Sequence, residues 1–570
     1  MNNKVAERTI ARILGIGSAL VAVYVMGFVP VTDPVNVTKL FVLGGVAAGS
    51  FAVLLAFGAR ELWASSKSLV VLAGLLVATG INAVVNSNGP LVQNLYGVYG
   101  RNTAFVTYIL LIFVLLAAAV LRARASFTLL IWGLLGAGFV NVAYCLWAIN
   151  FGDFIPWDNP YGNILGTFGN PNFIGAFLGL FAACLVAFSL QKGVDLKIRL
   201  GSVVVFIVAV YEIINSNAIQ GRVVVAAGLG IVGFYLVRSK FENVLAQIGY
   251  IVVIAVGGVF ALLGALQIGP LTKYIYKGSV SLRGEYWQAG WNMGTSHPFT
   301  GVGFDTYGDW YRRARDIQAL VTPGPNVVTN AAHNVPFDVF AFGGWPLFLS
   351  YIALLILTVI AIIKVTIRTR SYDGVFVTLT TAWLCYQLQS VISINQIGLA
   401  VWGWLFGGAL IAYEIATRPT STLKDNAAAS SGKGRRVAVK KQSEAIFSST
   451  MVAGVGAVVG LLIAVPPYSA DAKWRSALAS QNAQTLEEAL VPGYLNPANS
   501  YKYAKAVELM ENSKLYDLAY KYAQISVQFN PDNFDSWKMF YFISKSSAAE
   551  KAVALENMKR LDPNNPNVLG

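Results

Sequence analysis

Charge is what this sequence has least of. Only 12% of its 570 residues are Asp, Glu, Lys or Arg, against about 25% in ordinary soluble domains. With 56% hydrophobic residues and a mean hydropathy of +0.58, that shortage excludes the usual soluble enzyme and indicates a polytopic helical membrane protein. Cysteine is nearly absent too. Cys145, Cys184 and Cys385 all sit inside apolar runs without metal-type spacing, so neither a disulfide framework nor a thiolate metal site is expected. There are only two histidines, His297 and His333. Asp33, Asp153 and Asp158 stand apart rather than in metal-binding pairs, which disfavours a divalent-metal mechanism.

What is present is a series of apolar stretches long enough to cross a bilayer. They are expected at 10–30, 38–58, 68–86, 104–121, 127–149, 172–190, 200–215, 222–237, 246–267, 345–363, 374–392, 396–416 and 446–466. The predicted fold is therefore all-α, a polytopic integral membrane protein of about 13 transmembrane helices. No A-x-A type cleavage site follows the first stretch, so it reads as an uncleaved helix.

The formal charge of +14 is not spread evenly. Alternate loops carry Lys4, Arg8 and Arg12; Arg60 and Lys67; Arg122 and Arg124; Lys192, Lys197 and Arg199; Arg238 and Lys240; Lys364, Arg368 and Arg370. The intervening short loops hold little beyond Lys39 and Arg101. By the positive-inside rule the N-terminus is cytoplasmic, and the excess charge reports topology rather than nucleic-acid binding. The polar loop 268–344 and the C-terminal tail are then extracytoplasmic.

Four regions follow: a membrane core at 1–416, a basic Ser/Ala/Gly-rich cytoplasmic linker at 417–445, a last membrane helix at 446–466, and a helical domain at 467–570. In the last, Tyr503, Ala506, Leu509 and Met510, then Leu515, Leu518, Ala519, Tyr522 and Ala523, recur at helical spacing. Asn530-Pro531 and Asp562-Pro563 end successive helix pairs, a pattern similar to tetratricopeptide repeats, whose groove would suit a protein partner.

Candidate chemistry concentrates between Ser281 and Pro346. That stretch carries both histidines and Arg283, Arg312, Arg313 and Arg315. Arg101 and Arg222 lie at the same ends of their helices. An arginine at the hydrocarbon edge either snorkels to headgroups or binds an anion, and its planar fork suits phosphate oxygens. His333 precedes Asn334 and Phe342-Gly343-Gly344, and its type can accept a proton near neutral pH.

These residues carry a resemblance. The segment RGEYWQAGWNMGTSHPFTGVG at 283–303 resembles the O-antigen ligase and polymerase-like membrane family, as do His333-Asn334 and Phe342-Gly343-Gly344. So do GVYGRNTAF at 97–105, GTFGNPNFIGAFL at 166–178 and Gln220-Gly221-Arg222, where the family more often has Ser-Arg. The resemblance spans roughly residues 35–416.

It implies a C-type glycosyltransferase-like fold that moves a glycan from an undecaprenyl-diphosphate donor to a lipid, glycan or protein acceptor. The site would lie at the outer face of the cytoplasmic membrane and use no metal or cofactor. It further implies His333, Arg283 and Arg222 as catalytic, and Arg101, Arg312, Arg313, Asn334, Tyr286 and Trp287 as substrate-binding. Ligase, chain polymerase and protein O-oligosaccharyltransferase share this chemistry. A transporter or flippase is the rival of another class, though Glu212, Arg222 and Glu414 lie near helix ends rather than at mid-span.

Ser296→Cys and Asn567→Cys are each expected to react with an impermeant thiol reagent in intact spheroplasts. Protection of both until lysis would reverse the orientation.

Overall fold

The computed structural model describes residues 3–27, 29–157, 159–276, 278–419 and 447–569, and the expected linker 417–445 lies beyond residue 419 outside them. The named elements of the described residues are all helices, without a strand. Helices α1 (Lys4–Val23), α2 (Asn36–Phe57), α3 (Ala59–Val85), α4 (Leu91–Tyr96) and α5 (Phe105–Ala118) come first. Then follow α6 (Arg124–Phe151), α7 (Pro171–Ser189), α8 (Leu196–Asn215), α9 (Ile219–Lys240) and α10 (Val244–Ala265). The polar stretch forms α11 (Thr272–Ile275), α12 (Gly278–Ser296), α13 (Tyr307–Ala314) and α14 (Ile317–Val321). Next are α15 (Val335–Arg368), α16 (Gly374–Ser390), α17 (Ile397–Ala416) and α18 (Ser449–Ser480). The tail closes with α19 (Ala483–Leu490), α20 (Ser500–Asn512), α21 (Tyr516–Phe529), α22 (Phe534–Phe542), α23 (Ala548–Leu561) and α24 (Pro566–Leu569).

Each expected apolar stretch overlaps one helix. Ten of these helices are long and apolar enough to cross a membrane among the described residues. The other three stretches overlap α1, which carries Lys4, Glu7, Arg8 and Arg12, and the shorter α5 and α16. Apolar helices gain no hydrophobic attraction from one another in lipid, so small residues let them pack closely. At the α2–α18 crossing, a Cβ added to Gly460 would lie 2.0 Å from the Gly44 carbonyl oxygen. At the α7–α9 crossing, a Cβ on Gly221 would lie 2.5 Å from the Gly175 carbonyl oxygen. That contact explains Gly-Arg at 221–222: a serine there would push the two helices apart.

Polar contacts sort the connections to two ends of the bundle. At one end, Glu7 accepts from the Arg122 and Ala123 amides at 2.7 Å, Arg124 pairs with Asp373 at 2.8 Å, and Glu414 receives Arg368 and Arg418. At the other, Asp471 of α18 accepts from the Thr32 and Asp33 amides and from Tyr99. The polar stretch and the tail meet at this second end.

Helix α15 begins ten residues before the expected span and breaks at Gly344 (φ 62°, ψ −158°). Pro346 lacks the N–H that would bond to Phe342, and the Trp345 amide turns away to Pro298 at 2.8 Å. Two carbonyls are thereby released. The Val302 amide donates to Ala341 at 2.9 Å and the Gly303 amide to Phe342 at 3.0 Å, so none of this backbone is left unpaired. The glycines of 297–303 and 342–344 thus serve one interlock, in which a Cβ on Gly344 would strike the Pro298 carbonyl oxygen at 2.4 Å.

In the tail, α20 packs on α21 and α22 on α23, around Tyr503, Ala506, Ala519, Ala523 and Phe540. The residues before Pro531 and Pro563 dock it. Asn530 donates to Asp309 at 3.1 Å, and Asp562 receives Arg315 through both carboxylate oxygens at 2.8 Å. The Arg315 and Asp562 side chains are each 1% exposed. Removing one partner of a buried pair costs about 3–5 kcal/mol, whereas replacing both by apolar groups is often neutral. Asp562→Ala is therefore expected to make the tail markedly more protease-sensitive in membranes, and Arg315→Met/Asp562→Leu to restore most of the resistance. Equal resistance of Asp562→Ala and the unaltered protein would show that the tail is docked by other contacts.

Candidate active site

Between the polar stretch and the tail lies a cleft of about 560 Å³. One wall comes from the α4–α5 connection, α12, α13 and the loop before α15, including Arg101, Tyr286, Asp309, Arg312, Asn330 and His333. The facing wall comes from the tail, including Ser500, Tyr501, Phe529, Asn533, Phe534 and Asp535.

His333 is set by the backbone rather than by hydrogen bonds to its ring. It takes the left-handed conformation (φ 55°), unusual for a residue with a Cβ. The neighbours enforce it. The Ala332 amide donates to Asp338 at 2.6 Å, and Asn334 caps α15 by accepting from the Phe337 amide at 3.1 Å. Asn334 also donates to the Val391 carbonyl at 3.0 Å, so this expected substrate-binding residue is committed to positioning the turn. The His333 ring stacks on Tyr286, with centroids 5.6 Å apart. Tyr286 in turn is fixed by the Tyr307 hydroxyl, which donates to its carbonyl.

Arg283 lies one turn before Tyr286 on α12, on the same helix face, close enough for its charge to act on both Tyr286 and His333. Arg101 approaches from the other side and donates to Asn330 Oδ1 from Nε and Nη2, at 3.3 and 3.2 Å. Among the described residues neither arginine forms an ion pair. Burial pushes both guanidiniums below their ordinary pKa, partly offset for Arg101 by the Asp305 carboxylate and for Arg283 by Tyr286. Burial, then the charge of Arg283, then that of Arg101, push the His333 imidazole down to about 4. At neutral pH His333 is uncharged, with a ring nitrogen free to accept a proton.

The remaining expected residues are placed elsewhere. Arg312 reaches the cleft rim but pairs with Asp562 at 3.1 Å and lies over the Phe534 ring. Arg313 pairs with Asp532 at 3.4 Å and stacks on Trp310. Trp287 stacks on Phe337 outside the cleft lining, and its indole N–H is buried without a partner among the described residues. Arg222, in the first turn of α9, is exposed and does not line the cleft. His297 contacts Ser296 and Trp310 and belongs to the α15 interlock.

Residues 205–352 match the family model described as O-antigen ligase. Over that stretch, about a quarter of the chain, the sequence is similar to the O-antigen ligase family. Arg283, Tyr286 and His333 lie inside the matched stretch, and Arg101 and the tail lie outside it. No curated protein matches the chain. The matched stretch and the ten candidate spans support a multi-pass membrane protein with a glycan-transfer type of function.

Sequence reasoning missed the carboxylates behind the candidate site. Asp305, in the left-handed region at φ 54°, accepts from the Val98 amide at 3.1 Å and so fixes the Arg101 turn. Burial raises its pKa to about 6. Asp309 accepts from Gln93, Asn530 and Asn533 at 2.8–3.1 Å, joining α4 to the tail. The acidic residues scattered through FDTYGDWYRRARD were the available signal.

Carbon-13-labelled histidine gives one resonance set for each of the two histidines, and His333→Gln assigns them. His333 is expected to titrate near 4, well below the unperturbed value of about 6.5, with Arg283→Gln moving it upward. A midpoint at or above 6.5 would mean that neither burial nor the two arginines depress the ring, and an unmoved midpoint in Arg283→Gln that Arg283 does not act on it.

Proposed function

We propose that the protein transfers a glycan from an undecaprenyl-diphosphate donor to an acceptor hydroxyl, at the outer face of the cytoplasmic membrane and without a metal ion. The observation that carries this reading is the convergence on the neutral His333 of two guanidiniums, Arg101 and Arg283, that form no ion pair among the described residues. An anion is what such a site lacks, and a diphosphate bound there would meet planar donors matched to its oxygens.

The chemistry balances without further reactants. The acceptor oxygen attacks the anomeric carbon while the bond from that carbon to the diphosphate oxygen breaks. The electron pair leaves with the lipid diphosphate, whose charge the arginines stabilise. The acceptor proton passes to a ring nitrogen of His333. Donor binding itself prepares that step, because diphosphate charge beside Arg101 and Arg283 offsets their depression of the imidazole and makes it a stronger base. Arg222, from the family-like Gly-Arg turn, is assigned to the donor approach. Arg312 is assigned to the cleft rim and Arg313 to the clasp behind it. The tail is read as extracytoplasmic, on the same side as the site it touches.

In reconstituted membranes Arg283→Lys is expected to retain part of the transfer rate and Arg283→Ala little, because lysine keeps the charge but loses the fork. His333→Gln preserves hydrogen bonding but takes up no proton at neutral pH, so transfer should fall by about 10²–10⁴-fold with donor binding intact. Unchanged turnover in both Arg283→Ala and His333→Gln would remove this mechanism. Strong inhibition by chelator, reversed by a divalent ion, would reverse its metal independence.

A further inference from the structure

The two walls of the cleft differ in chemistry. The wall carrying His333 presents cations, whereas the tail residues lining the other wall include no lysine or arginine. Most polar groups on the tail wall are already engaged: Asn533 donates to Asp309 and accepts from Ser536, and Phe534 lies beneath Arg312. Two are not consumed. Tyr501 is 50% exposed although its ring stacks on Tyr99 at 4.6 Å and 5°. The Asp535 side chain is 67% exposed and only loosely paired, 3.8 Å from Arg312.

An accessible flat ring and an exposed, loosely paired carboxylate on the same cleft wall suit one ligand class well. The C–H face of a pyranose is apolar and slightly positive, so it packs on the negative face of an aromatic ring. Its hydroxyls donate to a carboxylate. An anionic ligand would be repelled by Asp535, and an acyl chain would leave that carboxylate desolvated without a partner. Docking of the tail does not require Tyr501, since the buried Arg315–Asp562 pair and Asp309 with its amide donors already supply it.

We propose that the tail wall of the cleft is a saccharide subsite, where Tyr501 stacks on an uncharged pyranose unit and Asp535 accepts hydrogen bonds from its hydroxyls. The subsite rests on the transferase reading for its role, and gives the tail a direct part in choosing the glycan. The pyranose belongs either to the donor chain or to the acceptor, and kinetics separates the two.

The test uses the full chain in lipid nanodiscs against an array of neutral oligosaccharides. The unaltered protein is expected to retain members of that array, and Tyr501→Phe to match it. Tyr501→Ala should weaken retention roughly tenfold, the worth of one well-packed aromatic contact, and Asp535→Asn should weaken it as well. Protease resistance of the tail should not change in either variant. In transfer assays Tyr501→Ala should raise KM for one substrate with kcat little changed: for the donor if the subsite holds the donor chain, for the acceptor if it holds acceptor sugar.

An array that retains no neutral saccharide overturns the proposal, as does retention that Tyr501→Ala leaves intact. Transfer to an unglycosylated peptide with both KM values unaltered in Tyr501→Ala overturns it too, while leaving the transferase reading standing. Conversely, Tyr501-dependent saccharide binding by a protein that transfers no glycan leaves the subsite and removes the transferase.

Discussion

A single missing backbone donor governs the functional end of this protein. Pro346 cannot bond to Phe342, and α15 breaks at Gly344, exposing carbonyls that would cost about 1–3 kcal/mol each if buried unpaired. The segment 297–303 satisfies them, which fixes where the polar stretch crosses α15. From that crossing the chain reaches Asp305, whose carboxylate holds the Arg101 turn, and Asp309, which holds the tail. In the other direction it continues to α12 and brings Arg283 and Tyr286 to His333. The site is assembled around a helix break.

The arginines of this end divide by the company they keep. Arg312, Arg313 and Arg315 find carboxylates at Asp532, Asp535 and Asp562 and are neutralised within the protein. Among the described residues Arg101 and Arg283 form no ion pair, and after burial itself their charge depresses His333. Positive charge left over in a half-buried place is costly unless a ligand completes it. The allocation of acids by the tail therefore selects which arginines stay available.

Much of the fold was legible because membrane helices are read from length and apolarity alone, and the expected stretches overlap helices throughout. The start of α15 was not, because a Gly-Gly-x-Pro sequence reads as a boundary when it is a kink inside a longer helix. Among site residues, Arg283, Tyr286, Arg101 and His333 converge, and the family-like segment announced most of them. Asn334 was identified but its chemistry was not, since capping a helix and bonding Val391 depend on a neighbour far along the chain. Arg312 and Arg313 looked like anion ligands for the same reason: their partners lie about 220–250 residues downstream. The Asn-Pro and Asp-Pro steps marked helix ends correctly but gave no hint that Asn530 and Asp562 are the docking points.

Asp309 accepts from Gln93 on one side and from Asn530 and Asn533 on the other, and so ties together parts of the chain made at very different times. His333 leaves the ribosome before α16, α17 and α18, and well before Asn530. Until those helices are inserted and the tail has folded, Asp309 and Arg315 lack their tail partners and the cleft has only one wall. Biosynthesis itself thus times the appearance of a complete site, and a stalled or truncated chain presents arginines and a histidine without the wall that would hold a substrate against them.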